Sequence, residues 1–271
     1  MSDPRISEGA VGAAPAVREE GGGWETIKVI VQALVIALVV RTLLFQPFDI
    51  PSGSMIPTLL IGDYLFVSKY AYGYSHYSLP GFLDLDPKAI PGRIWFSPPK
   101  RGDVVVFRPP GDPGEDFIKR VVGLPGDKIQ MIKGRLVING VEVSRDPAEP
   151  YPMLDAFRKP ARFPAYNETL PDDAGHPGGV RHEIVQIAGD EGEWANTGVY
   201  EVPPAHYFMM GDNRDNSTDS RVIPGAVGYV PEENLIGRAE IIFFSVDDAP
   251  AWQFWRWPWT VRWNRLLQRI H

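Results

Sequence analysis

The chain has 271 residues and a formal charge of −7, which leaves room for a membrane anchor plus one sizeable domain and speaks against nucleic acid as a main partner. Cysteine is absent, so disulfides and thiolate metal sites are excluded while the compartment stays open. The 27 glycines and 27 prolines, with few long helical patterns, point to a β-rich, loop-rich domain.

Residues 1–23 are small, polar and glycine-rich and are expected to form a disordered tail. Residues 24–45, WETIKVIVQALVIALVVRTLLF, are predicted to be a transmembrane anchor. As a helix, Ile27 to Phe45 would span roughly 28 Å against a hydrocarbon core of about 30 Å. Lys28 and Arg41 lie near its ends, where long side chains reach the headgroups, whereas Gln32 has no such explanation. The competing reading is a buried helix of a soluble core, because charged and polar residues interrupt the apolar run. A cleaved leader fits less well: residues 1–28 carry five acidic against three basic side chains, and no A-x-A site follows the run. Arg5, Arg18 and Lys28 precede the span, and no Lys or Arg lies between Arg41 and Lys69. The positive-inside rule therefore predicts one pass, a cytoplasmic N-terminus and the bulk of the chain outside.

After the span, β-branched runs dominate. GDVVVF (102–107) and DFIKRVVGL (116–124) read as strands separated by a turn-rich segment. DKIQMIKGRLVINGVEV alternates Ile129, Met131, Leu136 and Ile138 around the turns Lys133-Gly134 and Asn139-Gly140, the second with type I′ chemistry. Residues 145–182 are rich in Pro, Gly and charge and read as an inserted loop region, with strands resuming at HEIVQI, HYFMM and RAEIIFFSV. The tail, residues 251–271, holds five of the eight tryptophans interleaved with Arg256, Arg262, Arg265 and Arg269. Two readings stand side by side: contact with a membrane–water interface, or a cover over the domain core.

Three stretches could carry chemistry. IPSGSMIP (50–57) sets Ser52 and Ser54 around Gly53 between Pro51 and Pro57. It could be a plain turn, or a rigid frame that aims hydroxyls and amides in advance at a developing charge. The five histidines are poorly placed as bases, with His176 and His182 read as flanking a loop, and no metal motif occurs. Lys119 lies mid-strand on the face of Phe117 and Val121, where burial would leave a neutral amine able to accept a proton. By periodicity alone, an edge-strand lysine facing solvent is the better reading. GDNRDNSTDSR (211–221) reads first as a loop held by Asp–Arg pairs, presented at a sheet end.

Taken in order, FDIPSGSMIPTLLIGDYLFVSKY, RGDVVVFRPP with DFIKRVVGLPGD, and YFMMGDNRDNSTDSR resemble the three boxes of bacterial type I signal (leader) peptidases, membrane-anchored Ser–Lys endopeptidases. The resemblance runs from about Arg41 to Val246. It implies Ser54 as nucleophile, Lys119 as general base, and an oxyanion hole made of the Ser54 amide and the Ser52 hydroxyl. It implies Ser217 as the lysine's support, Asp219 and Arg221 as an adjacent ion pair, and Asp212 and Arg214 as further positions of the same box. Ile50, Met55, Leu59, Phe117 and Ile118 match positions that line shallow apolar pockets for small residues at −1 and −3. The fold implied is mainly β: coiled antiparallel sheets in a catalytic domain over residues 46–250, with an inserted β subdomain over about 125–205. No cofactor and no metal are implied. The implied partners are signal peptides of exported preproteins and the lipid bilayer, with a monomeric enzyme in the inner (plasma) membrane and its catalytic domain on the periplasmic or outer side.

Rival readings are a relative with one narrow substrate, such as a pilin-processing peptidase, an organelle inner-membrane counterpart, a self-cleaving repressor of the SOS response, or a non-enzymatic anchored interaction protein. A panel of unrelated preproteins separates the first from a general leader peptidase. The repressors need a DNA-binding region, where this chain has an apolar span.

Overall fold

The computed structural model describes residues 22–78, 92–112, 114–155, 157–222, 225, 227–247 and 253–271. The tail expected over 1–23 lies outside these residues apart from Gly22 and Gly23, which open helix α1 (Gly22–Leu43). Its residues from Gly23 to Leu43 are long and apolar enough to cross a membrane. The expected anchor reached Phe45, but that residue already belongs to a strand. Pro47 explains the difference: proline biases its predecessor away from helical geometry, so the chain extends before reaching it. Residues up to Leu38 form one unit and Val39–His271 a second, so the inserted region is not a unit of its own.

Eight antiparallel strands build the main, curled sheet. They are β1 (Phe45–Asp49), β2 (Asp63–Ser68), β3 (Val104–Phe107), β4 (Phe117–Gly123), β14 (His206–Met210), β15 (Val230–Pro231), β16 (Leu235–Ser245) and β17 (Gln268–Arg269). The order across the sheet is β1-β2-β16-β3-β4-β14-β15, with β17 also on β16. Central β3 is buried at every residue, as its unbroken apolar run requires. β4 sits between β3 and β14, but its pairing with β14 begins at Arg120, so at Lys119 only β3 is paired. One apolar cluster joins Met55, Leu59, Leu65, Val67, Val104 and Ile236 beneath the IPSGSMIP segment.

Between β4 and β14 the chain forms three small sheets. β5 (Lys128–Ile132), β6 (Arg135–Ile138) and β7 (Val141–Glu142) pair in sequence, with β13 (Tyr200–Glu201) against β5. Lys133, Gly134, Asn139 and Gly140 all have positive φ, as the type I′ reading of the second turn requires. β8 (Ser144–Pro147), β11 (Ala165–Thr169) and β12 (Arg181–Val185) form the second sheet, and β9 (Tyr151–Leu154) with β10 (Pro160–Phe163) the third. Residues 145–182, expected to be loop, thus carry several short strands between their loops. Segments such as SRDP and PARF lack apolar alternation because they are mostly exposed, and their pairing comes from register with neighbours.

β16 is the spine of the main sheet, pairing with β2, β3 and β17, and it shifts register near Leu235/Gly237, Ala239/Ile241 and Ile242/Phe244. Such bulges bend a strand and increase its twist. Gly237 lies at the first shift, where a Cβ would overlap the carbonyl oxygen of Ser68 and come within 2.8 Å of Val67 Cγ1. Gly237→Ala is therefore expected to destabilise the fold by about 2 kcal/mol, seen as a thermal midpoint several degrees lower. An unchanged midpoint would mean that the crossing of β16 over β2 is looser than described.

Candidate active site

The segment after β1 is locked at both ends. Ile50 donates its N–H to Asp63 O at 2.9 Å, and Met55 O accepts the Leu59 N–H at 2.9 Å, closing a tight turn over 53–59. Met55 and Leu59 are fully buried and pull the turn into the core. Gly53 does not take a positive φ. What it supplies is space, since a Cβ would stand 3.0 Å from Ile56 Cδ1. The Ile56-Pro57 peptide is cis.

Strand β4 brings Lys119 to this turn from 65 residues away, with Nζ 2.8 Å from Ser54 Oγ and 2.9 Å from Ile118 O. Lys119 is 4% exposed and Ser54 7%. Nζ also lies 5.2 Å from the Phe117 ring centre, on the shared face read from the sequence. Burial lowers the Lys119 pKa to about 8 against the smaller opposing pull of Asp219 and Asp212. Lys69 is also lowered to about 8 by burial and then by Arg41, but its Nζ donates to the carbonyl oxygen of Ser78 at 2.6 Å. A low pKa is thus shared by two lysines, and only one of them meets a hydroxyl.

The 211–221 loop fixes the serine from the other side. Asn213 donates its backbone N–H to Ser54 O and its Nδ2 to Gly53 O, both at 3.0 Å. A Cβ on Gly211 would overlap both Ser54 O and Ser217 Oγ, so this close approach requires glycine. The expected Asp219–Arg221 pair is present, with both carboxylate oxygens 2.8 Å from the guanidinium. Asp212 instead binds Arg120, the neighbour of Lys119, at 2.9 and 2.7 Å and accepts the Thr58 hydroxyl at 2.5 Å. Arg214 forks onto Glu168 of β11. Burial pushes the Asp212, Asp219 and Glu168 carboxyls up, but their arginines prevail and hold each below its ordinary range. Ser217 departs from expectation: its Oγ is buried against the Asp219 carboxylate, and it does not hydrogen-bond Lys119.

Ser54 and Lys119 open into a cleft of about 340 Å³. It is lined by Ile50, Phe117 and Ile118, as expected, and also by Phe48, Val106, Asn216 and Thr218. Met55 and Leu59, expected there, belong instead to the core beneath. Ser52 is exposed at the cleft, its Oγ 3.4 Å from Ser54 Oγ. The cleft runs between two strands with free sides. Among the described residues, β1 pairs only with β2, and β14 meets β4 only from Arg120 onward, leaving Phe117–Lys119 paired with β3 alone. A larger cleft of about 620 Å³, near Asp103, Arg238 and Glu240, contains neither Ser54 nor Lys119.

The model of the family described as signal peptidase, peptidase S26, matches residues 23–244. The chain belongs to that family. Among signal peptidase I relatives, the protein of Rickettsia typhi (strain ATCC VR-144 / Wilmington) is 44% identical over 214 residues, covering 78% of this chain and 76% of that one. The protein of Rickettsia prowazekii (strain Madrid E) is 41% identical over 231 residues, covering 84% and 81%. A crystallised signal peptidase I from Enterococcus faecalis V583 is 25% identical, covering 52% of this chain and 97% of that one, with a TM-score of 0.30. Membership makes this chain a serine endopeptidase and signal peptidase I its function.

Within this signal peptidase, sequence reasoning missed Asn213, Thr58, Glu168 and His182. His182 does not flank a loop. It lies buried in β12, with Nε2 3.5 Å from Glu168 Oε2 and 3.7 Å from Asp212 Oδ1. Burial, then Arg120, lowers its pKa to about 4, so the ring is neutral and both nitrogens lack hydrogen-bond partners. The polar alternation of RHEIV was the available signal, since it puts His182 on the buried face with Ile184.

The Lys119 environment has a stability consequence with a definite sign. Its folded pKa of about 8 lies below the ordinary lysine value of 10.5, so the unfolded chain holds the proton more tightly and stability falls as pH drops from 10.5 to 8. At pH 7 the whole penalty, about 3 kcal/mol at about 1.4 kcal/mol per pH unit, is present. Lys119→Met should therefore melt higher than the parent at pH 7, with the gap closing toward pH 10.5. Equal melting at pH 7 would mean that the amine is not desolvated.

Proposed function

We propose that Ser54 is the nucleophile and Lys119 the general base of this signal peptidase, acting on the signal peptides of exported preproteins. The observation that carries this reading is the 2.8 Å approach of a buried lysine amine to a serine hydroxyl at the floor of a cleft. Neutral Nζ takes the hydroxyl proton as Ser54 Oγ attacks the scissile carbonyl carbon. The Ser54 N–H and the exposed Ser52 hydroxyl receive the oxyanion. The ammonium then protonates the leaving amine, and the acyl-enzyme is hydrolysed by a water that the same amine deprotonates.

The substrate lies extended in the cleft, where the free sides of β1 and of Phe117–Lys119 offer backbone groups to an added strand. Ile50, Phe117 and Ile118 contact the small residues at −1 and −3. Ser54 follows Phe45 by nine residues, within roughly 30 Å of chain, so a leader whose apolar part stays in the bilayer can reach it. The enzyme acts as a monomer with α1 as a single anchor, a cytoplasmic N-terminus, a catalytic domain over 46–250 on the outer side, and an insert at about 125–205. Its tail has a double character. Arg262 and Arg265 turn inward to Asp63, while Phe254, Trp255 and Trp263 are exposed and Trp259 is 83% exposed. These rings rest at the membrane–water interface.

In a cleavage assay on several unrelated preproteins, Ser54→Ala should abolish turnover and Lys119→Ala should reduce it by about 10²-fold to 10⁴-fold. Near-normal activity in either variant refutes the pair. The parent's rate should rise with pH through about 8, because the active amine is the deprotonated one. A profile with a histidine-like midpoint that persists in Lys119→Ala points to another base. In proteoliposomes with brominated lipid, replacing Trp255, Trp259 and Trp263 with Phe should remove part of the tryptophan quenching. Unchanged quenching would mean these indoles do not touch the bilayer.

A further inference from the structure

The C-terminal segment is sewn along β16, with Arg262 N–H donating to Ser245 O, Leu267 N–H to Ile242 O and Ile270 N–H to Glu240 O, each at 2.8–3.0 Å. Two of its arginines point inward, and Asp63, at the start of β2, receives both. The carboxylate is fully buried and fully used. Oδ2 accepts the Leu60 N–H at 2.7 Å and Arg265 Nη2 at 2.5 Å, while Oδ1 accepts Ser245 Oγ at 2.6 Å and Arg265 Nε at 3.1 Å. Asp63 thereby closes the turn that starts at Ser54, and its own N–H returns to Leu60 O at 3.0 Å.

Arg265 also goes one step further than Arg262. Its Nη2 donates to the carbonyl oxygen of Thr58 at 2.9 Å. Thr58 Oγ1 donates to Asp212 at 2.5 Å, and Asp212 is held by Arg120, the residue next to Lys119. Thr58 is therefore gripped at its carbonyl by the tail and at its hydroxyl by the β4 and 211–221 elements. It stands four residues after Ser54 in the same turn. Arg262, by contrast, reaches Ile61 O at 2.9 Å, Asp247 at 3.0 Å and Ser245 Oγ at 3.1 Å, and none of these belongs to the Ser54–Leu59 turn.

We infer that Arg265 is a positioning residue for the reaction, holding the Ser54 turn against the Lys119 strand through Thr58 and Asp63, so that the tail is a working part of the active site. This rests on the reading of Ser54 and Lys119 as nucleophile and base. The physical reason is geometric: a displacement of about 1 Å between reacting groups costs on the order of 10²-fold in rate, and a turn freed at one end has room for that. The cleft walls are untouched by Arg265, so its loss falls on kcat rather than on KM.

The test uses the full-length enzyme and a preprotein substrate. Arg265→Lys keeps a positive charge beside Asp63 but cannot hold both Asp63 oxygens and Thr58 O with a planar fork. It should lower kcat about tenfold, leave KM within about twofold, and keep the thermal midpoint within a few degrees of the parent. Arg262→Ala, which loosens the tail without touching Thr58, should lose less than about threefold, and surface Arg256→Ala nothing. Arg265→Ala should lose more than Arg265→Lys, and if it fails to fold the lysine variant alone decides. The inference is overturned if Arg265→Lys keeps kcat within twofold of the parent, or if Arg262→Ala loses as much as Arg265→Lys. Ser54→Ala in the same assay separates the two levels. If it is inactive while Arg265→Lys is normal, only the positioning role fails. If it is active, the underlying assignment fails.

Discussion

The Lys119 amine is kept out of water by the sheet around it, and much of the surrounding architecture follows from what that costs. Lys119 pairs with β3 through its backbone, and its side chain ends against the Ser54 turn, with Nζ 2.8 Å from Ser54 Oγ and the residue 4% exposed, so the amine has little solvent to reach. A buried ammonium sheds its proton more readily than a solvated one, and here that brings the pKa to about 8. The two nearest carboxylates, Asp212 and Asp219, would oppose the effect if left bare. Each is instead committed to a guanidinium, Arg120 and Arg221 respectively, and their pull on Nζ remains the lesser influence. The acidic 211–221 loop can therefore approach a lysine that must spend part of its time neutral.

The same ion pairs join segments far apart in the chain. Arg120 links β4 to Thr58 and Asp212, Arg214 links the loop to Glu168 in the insert, and Arg221 caps the chain at Asp219 and the carbonyl of Arg214. Through the grip of Arg214 on Glu168 the insert is braced against the loop beside Ser54. Breaking one partner of such a pair leaves a buried charge uncompensated, so these contacts define one arrangement of the site more than they add to stability.

The order of the three boxes and the strand pattern made the family and the fold class legible in the sequence, because both depend on local residue types. Lys119 shows where this stops. Its alternation with Phe117 and Val121 was visible, but periodicity does not say which distant segment covers that face, and here it is the Ser54 turn, 65 residues away. Met55 and Leu59 differ in the opposite direction: the family resemblance implied pocket lining, yet the turn carries them into the core. The short strands of 145–182 were hidden because their pairing partners, not their own alternation, make them strands. The arginines of the tail illustrate the same limit. The tail reads equally as a membrane-facing surface or as a cover over the domain core, and only the fold reveals that two of its arginines turn inward to a buried aspartate.

The free sides of β1 and of Phe117–Lys119 have a consequence for the molecule's life in a crowded compartment. An unfilled lane in a sheet is a template for any extended chain, including a second copy of the same enzyme. Here the lane is short, it ends where β14 joins at Arg120, and exposed Asp49, Glu115 and Asp116 stand along it. Two copies meeting edge to edge would set these carboxylates against each other, and each would have to desolvate them. The carboxylates along this free side therefore oppose the edge-to-edge pairing of two copies.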